Sequence, residues 1–258
     1  MPVPVPAAPW AGSLLWLVGL SVVAFAVSWL LANRLQLGRF LYIGALSVVT
    51  GALFVGYLAW LGVSVVDILT AHWGWGLLAA PIAAAFGTFG MTRLPATNRR
   101  TGRALTVALL WEGIVYGITE GILLSALPAF MTWQAIHSLG WSGFGGGLAR
   151  WTLPVLASIL VIVVHHLGYA EYRNRQLIPI SVGCGMLTVG YLVTASVIAP
   201  TLGHVLMHTA AILHGTELPP VVRPITVPPS RAETVSQPGP AAATPSAGAH
   251  RGLVHHRR

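Results

Sequence analysis

The chain has 258 residues, of which 55% are hydrophobic and 8% charged, and its mean hydropathy is +0.75. That composition leaves too little polar surface to cover a water-soluble globule, so the solvent it implies is lipid. The net charge of +8 rests on arginine alone, since there is no lysine, and no basic helix or zinc-finger spacing aims it at nucleic acid.

Residues 1–13 form a short, proline-rich, uncharged segment that lacks the basic stretch of a secretory signal, so the first apolar run is expected to remain as a membrane span. A span needs about 20 mostly apolar residues at about 1.5 Å each. Seven such runs follow, at residues 14–31, 40–61, 74–91, 104–130, 151–170, 178–195 and 201–216. Residues 129–150 read as a long external loop, with Trp133, Trp141 and Trp151 at the height of an aromatic belt and a flexible cluster of Gly143, Gly145, Gly146 and Gly147. Such a loop serves either as an interfacial connector or as a mobile gate over a site. The stretch 176–216 carries no charge; it is too long for one span and Pro200 interrupts it, which makes it a helical hairpin. Residues 217–258 are Pro, Ala, Ser and Thr with scattered arginine, the composition of a disordered tail, and His250, His255 and His256 belong to that solvated tail. The expected fold class is all-α, a polytopic membrane helix bundle of about seven transmembrane helices in residues 14–216.

Arginine placement tests the count, because cytoplasmic loops collect positive charge. Arg34 and Arg39 follow the first span, Arg93, Arg99, Arg100 and Arg103 the third, Arg173 and Arg175 the fifth, and the remaining five the seventh. Only Arg150 falls on the opposite side, so thirteen of fourteen lie on alternate loops. Seven spans with the N-terminus outside and the C-terminus cytoplasmic give that pattern.

Ionisable groups inside spans are expensive and mark function by default. The fourth span holds Glu112 and Glu120, the fifth ends in His165 and His166, and the last presents His204, His208 and His214. His204 and His208, four residues apart, put two imidazoles on one helix face, a spacing that suits one metal ion or one reacting group. Glu112, Tyr116 and Glu120 recur every four residues, and Gly113, Gly117 and Gly121 form a second stripe beside them. Small residues at that period admit a close neighbouring helix, which is either plain packing or the means of bringing Glu120 to the histidines. Cys184 is the single cysteine, so a disulfide within the chain and a cysteine-based zinc site are excluded.

These residues carry a family resemblance over roughly residues 109–208. The segment Gly117-Ile-Thr-Glu120-Gly-Ile-Leu-Leu-Ser125 resembles a degenerate first motif of the CAAX-protease and bacteriocin-processing (CPBP) intramembrane proteases, which has two adjacent glutamates and then an arginine. Residues 158–167, ending His165-His166-Leu167, are similar to the second motif, and residues 185–208, a glycine-rich helix, a short turn, a proline and then His204 and His208, to the third. Gly121 stands in place of the second glutamate, Ser125 in place of the arginine, and His208 where the family has asparagine or aspartate. The resemblance implies a peptidase-like core in residues 104–216. It implies Glu120 as general base, His166 or His165 and His204 as ligands to a water or a divalent metal such as zinc, and His208 as an added ligand or oxyanion donor. It also implies a peptide or membrane-protein substrate met within the lipid bilayer of a bacterial plasma membrane. The residues alone leave two alternatives open: a bis-histidine haem-binding electron carrier and a non-catalytic membrane scaffold.

Overall fold

The computed structural model describes residues 9–216, so the tail from 217 and the first eight residues lie outside the described residues. Every described regular element is helical. The order is α1 (Trp10–Arg34), α2 (Arg39–Leu61), α3 (Val65–Thr70), α4 (Trp73–Thr92), α5 (Gly102–Ser138), α6 (Gly143–Leu167), α7 (Leu177–Thr194) and α8 (Ile198–His214). Six of these are long and apolar enough to cross a membrane, and α8, with 17 residues, is about 25 Å long at the usual helical rise. Large apolar side chains such as Leu15, Val48, Ile82 and Ile178 are exposed along the outer faces, as lipid contact demands. The chain is thus an all-α bundle that fits an integral membrane protein.

Helix α5 is the hub, packed by α1, α2, α6, α7 and α8. Contacts at successive levels give the helix directions. Ser13 meets Tyr57, and Trp16 lies against Gly56, so α1 and α2 are antiparallel. Trp111 Nε1 donates to Phe40 O at 3.0 Å, Ser47 and Thr119 share a hydrogen bond of 2.8 Å, and Tyr57 stands edge-on to Phe130, so α2 and α5 run parallel. Gly113, Gly117 and Gly121 face Thr209, Val205 and Thr201, which sets α8 antiparallel to α5. Gly76 faces Ile198 and Gly87 faces Met207, so α4 runs with α8. These directions gather eight of the nine described arginines at one end of the bundle and leave Arg150 at the other.

Two expectations need correction. The long loop 129–150 is mostly helix: α5 runs on to Ser138, and only residues 139–142 separate it from α6. Phe130, Met131, Ala135 and Ile136 are buried, and this end of α5 packs on α1 and α6, so an apolar face holds the helix together past the aromatic belt. The glycine cluster forms the first turn of α6, where Gly143 takes a left-handed φ of +68° and a Cβ on Gly146 would lie 2.7 Å from the Trp141 carbonyl. Nor does Pro200 break the α7–α8 hairpin. The turn is made by Ala195, at φ +53°, and Ser196, while Pro200 sits in the first turn of α8, where a helix lacks a partner for its N–H in any case. The short α3, capped by Ser64 Oγ accepting from Asp67 N, was not visible in the hydropathy pattern.

Three stretches widen to π-helical turns: Ser28–Arg34 in α1, and Leu109–Val115 and Gly121–Ala126 in α5. The two in α5 bracket the turn Tyr116–Glu120. Turns of this kind concentrate at functional sites.

Candidate metal-binding site

The site forms where α5, α6 and α8 meet, and the glycine stripe is the reason they meet so closely. A Cβ on Gly117 would stand 2.6 Å from Val205 Cα, and one on Gly121 would collide with Thr201 Cα and lie 2.9 Å from Pro200 O. Backbone therefore touches backbone along α5 and α8. The two readings of the stripe, tight packing and delivery of Glu120 to the histidines, are one event, because Glu120 precedes Gly121 and His204 precedes Val205.

Glu120 is buried, with 6% of its surface exposed, and it is surrounded by histidines and the Tyr116 hydroxyl. His208 Nε2 lies 2.7 Å from Oε2, His204 Nδ1 3.8 Å from the same oxygen, and His165 Nε2 4.0 Å from Oε1. Glu120, His204 and His208 each offer a ligand atom, all within 4.8 Å of one another, so this buried group could hold a metal ion. The donor set, two imidazoles and a carboxylate, fits a divalent ion of the zinc type with a coordination position left over. The outer ring atoms, His204 Nε2 and His208 Nδ1, are buried without a hydrogen-bond partner among the described residues. Polar atoms left so cost about 1–3 kcal/mol each, which marks the space beside them as one made for a water, an ion or a substrate group.

The adjacent histidines of α6 are held differently. His166 Nδ1 lies 2.8 Å from Ile162 O, so it carries the proton and leaves Nε2 with its lone pair, and His166 is in electrostatic range of Glu120, His204 and His208. His165 has both ring nitrogens engaged, Nδ1 with Ala24 O at 3.1 Å and Nε2 with the Tyr169 hydroxyl at 3.0 Å. Neither joins the three-residue group, so of the four histidines expected as ligands the structure gathers His204 and His208 with Glu120.

Four tyrosines, of which the sequence singled out Tyr116 alone, line the arginine side of the site. Tyr42 and Tyr169 share a close hydroxyl contact, Tyr116 OH is 3.5 Å from Tyr169 OH, and the Tyr116 ring lies 4.9 Å from that of His208. Tyr172, in the connection after α6, packs on His166 at 4.9 Å, and burial raises its hydroxyl above the ordinary phenol range. The one signal in the sequence was the spacing Glu112, Tyr116, Glu120.

Glu112 lies on the same stripe, two turns nearer the arginine end, and does different work. Its carboxylate pairs with Arg39 Nε at 2.6 Å and with Arg100, tying the start of α2 to the segment before α5. His214 is apart from the site as well, its Nδ1 bonded to Thr216 Oγ1, which in turn donates to Met91 O. Cys184 is buried and free. Compared with known proteins, the chain matches no family model, no curated protein and no solved structure.

Proposed function

We propose that the protein is an intramembrane peptide hydrolase whose site works as that of the CPBP family does, on a peptide or membrane-protein substrate. The observation that carries the reading is the buried carboxylate of Glu120 among His204 and His208, whose outer nitrogens have no protein partner. Glutamate from one helix and histidines from two later ones also keep the order of the family's motifs.

In this reading His208 Nε2–H donates to Glu120 Oε2 and fixes the carboxylate, leaving Oε1 to take a proton from water. A peptide carbonyl placed beside the two histidines meets ring nitrogens that nothing else occupies, and an N–H there stabilises the developing oxyanion. A zinc-type ion held by Glu120, His204 and His208, with the His208 Nε2 proton released to solvent, would supply Lewis acidity and a more acidic water. Glu120 would then be ligand as well as base, with His166 in electrostatic range of it.

The site lies about 12 Å along α5 from Glu112, counting eight residues away from the arginine end, at the middle of the helix. We take the arginine end as cytoplasmic by the positive-inside rule, which puts the N-terminus outside and the cleaved bond near the middle of a bacterial plasma membrane. The haem alternative needs histidines of facing helices, His165 or His166 on α6 and His204 or His208 on α8, on the two sides of one iron. His204 and His208 themselves sit a turn apart on one helix, their rings 6.1 Å apart and near parallel, which does not place them on opposite faces of one iron.

The test is cleavage of a fluorogenic transmembrane peptide in proteoliposomes. Glu120→Gln keeps the shape and removes the base, and the rate should fall by about a hundredfold to ten-thousandfold. Undiminished turnover by a folded Glu120→Gln protein refutes the site. Glu120→Gln equal to a wild type that cleaves nothing and takes up no metal leaves the scaffold reading standing.

A further inference from the structure

We propose that Tyr169 is a positioning residue that keeps His165 out of the coordination set, so that the site stays open for a reacting water. The inference rests on the reading of Glu120, His204 and His208 as a metal-holding group, and adds to it what decides the ligand count.

The argument begins with a proton. A backbone carbonyl only accepts, so the 3.1 Å contact with Ala24 O places the His165 proton on Nδ1 and the lone pair on Nε2. That lone pair is taken by the Tyr169 hydroxyl, the donor at 3.0 Å, with the two rings edge to face. Tyr169 keeps that direction because its own oxygen accepts from Tyr42. The histidine backbone is pinned too: Ser28 Oγ donates to His165 O at 2.7 Å, and a Cβ on Gly168 would run into Ser28. His165, Tyr169 and Tyr42 are all essentially buried, so water does not compete for these bonds.

The consequence appears 4.0 Å away, at Glu120 Oε1. Carboxylate oxygen and imidazole Nε2 are both acceptors here and have no proton to share. A cation beside Glu120 would draw any free imidazole lone pair within reach, and His165 is the nearest candidate after His204 and His208. Four protein ligands make a closed, structural site, whereas three leave the position that catalysis needs. By occupying the lone pair of His165, Tyr169 preserves the three-ligand state.

Full-length protein labelled with 15N-histidine, in detergent and without metal, gives the direct test by NMR. Wild type should show His165 protonated at Nδ1 with a hydrogen-bonded, unprotonated Nε2, and Tyr169→Phe should move the Nε2 resonance alone. A proton on Nε2 in wild type overturns the proposal. Titration with Co2+ gives the second readout. Tyr169→Phe should bind the ion more tightly, by about tenfold or more as second-sphere changes do elsewhere, with an altered visible spectrum. Tyr169→Phe combined with His165→Ala should return to the wild-type affinity. Tyr42→Phe, which removes the donor that fixes the direction of the Tyr169 hydroxyl, should shift affinity in the same sense as Tyr169→Phe but by less. Equal or weaker Co2+ binding by a folded Tyr169→Phe overturns the proposal. A wild type that binds no Co2+ sinks the metal reading instead, and the NMR result then decides the positioning role by itself.

Discussion

Gly117→Ala puts the packing account of the site to a quantitative test. The new Cβ would stand 2.6 Å from Val205 Cα and 2.7 Å from Val205 N, backbone atoms that cannot rotate away. Carbon atoms rest at about 3.5–4.0 Å, so relief requires α5 and α8 to part by about 1 Å. Glu120 and His208 sit on those two helices, and the same movement stretches their 2.7 Å bond to about 3.7 Å, beyond hydrogen-bonding range. The helices either stay and hold the strain, at about 1–3 kcal/mol, or separate and give up a charge-assisted bond of about 1.5–3 kcal/mol. The expected destabilisation is therefore about 2–3 kcal/mol in reversible unfolding from mixed micelles, together with weaker Co2+ binding. Gly51→Ala on α2 is the control, since nothing lies within 4 Å of its Cβ; it should be neutral or slightly stabilising. Wild-type stability and metal affinity in Gly117→Ala would refute the claim that the glycine stripe sets the distance between Glu120 and the histidines.

Two further outcomes follow from the charges. Glu112→Gln leaves Arg39 and Arg100 without their shared counter-charge, so it should lower unfolding stability by about 1–3 kcal/mol while turnover per folded molecule stays unchanged; abolished turnover in a folded protein would instead place Glu112 on a proton path to the site. A cysteine at Gly140 should react with an impermeant thiol reagent from outside the cell and one at Asn98 only after permeabilisation, and equal labelling of both from outside would refute the orientation.

Composition and periodicity made the bundle legible, and the alternation of arginines made the helix directions legible as well, because both are properties of whole helices and lipid imposes them on every one. Glu120, His204 and His208 were readable because ionisable groups inside apolar runs stand out against their neighbours. What escaped was decided by contacts between helices. The continuation of α5 to Ser138 depends on Phe130, Met131 and Ile136 finding α1 and α6, which no local pattern reports. His165 and His166 are equivalent in the sequence, and only the carbonyls of Ala24 and Ile162 and the hydroxyl of Tyr169 tell them apart. Glu112 and Glu120 look like one stripe, yet the two arginines that claim Glu112 come from another helix and a loop.

Under the proposed CPBP-type reading, the two departures from that family's first motif have different physical meanings, and substitution separates them. At position 121 a side chain has nowhere to go, because its Cβ would already collide with Thr201 and crowd the Pro200 carbonyl. The glycine is the condition for the Glu120–His208 contact, so Gly121→Glu should not restore a second acid; it should force α5 from α8 and destabilise the protein by more than Gly117→Ala does. Ser125 is fully buried, and its hydroxyl has no partner among the described residues, so the serine answers no bonding need there. Ser125→Ala should be neutral or stabilising by up to about 1 kcal/mol, since it removes an unpaired buried hydroxyl. Ser125→Arg would have to house a guanidinium where no surface is exposed, and should unfold the bundle. Unfolding in mixed micelles reads all three. A Gly121→Glu protein as stable as wild type and faster in peptide cleavage would show that the chain had merely lost an acid, and that α5 and α8 can hold the site together without touching.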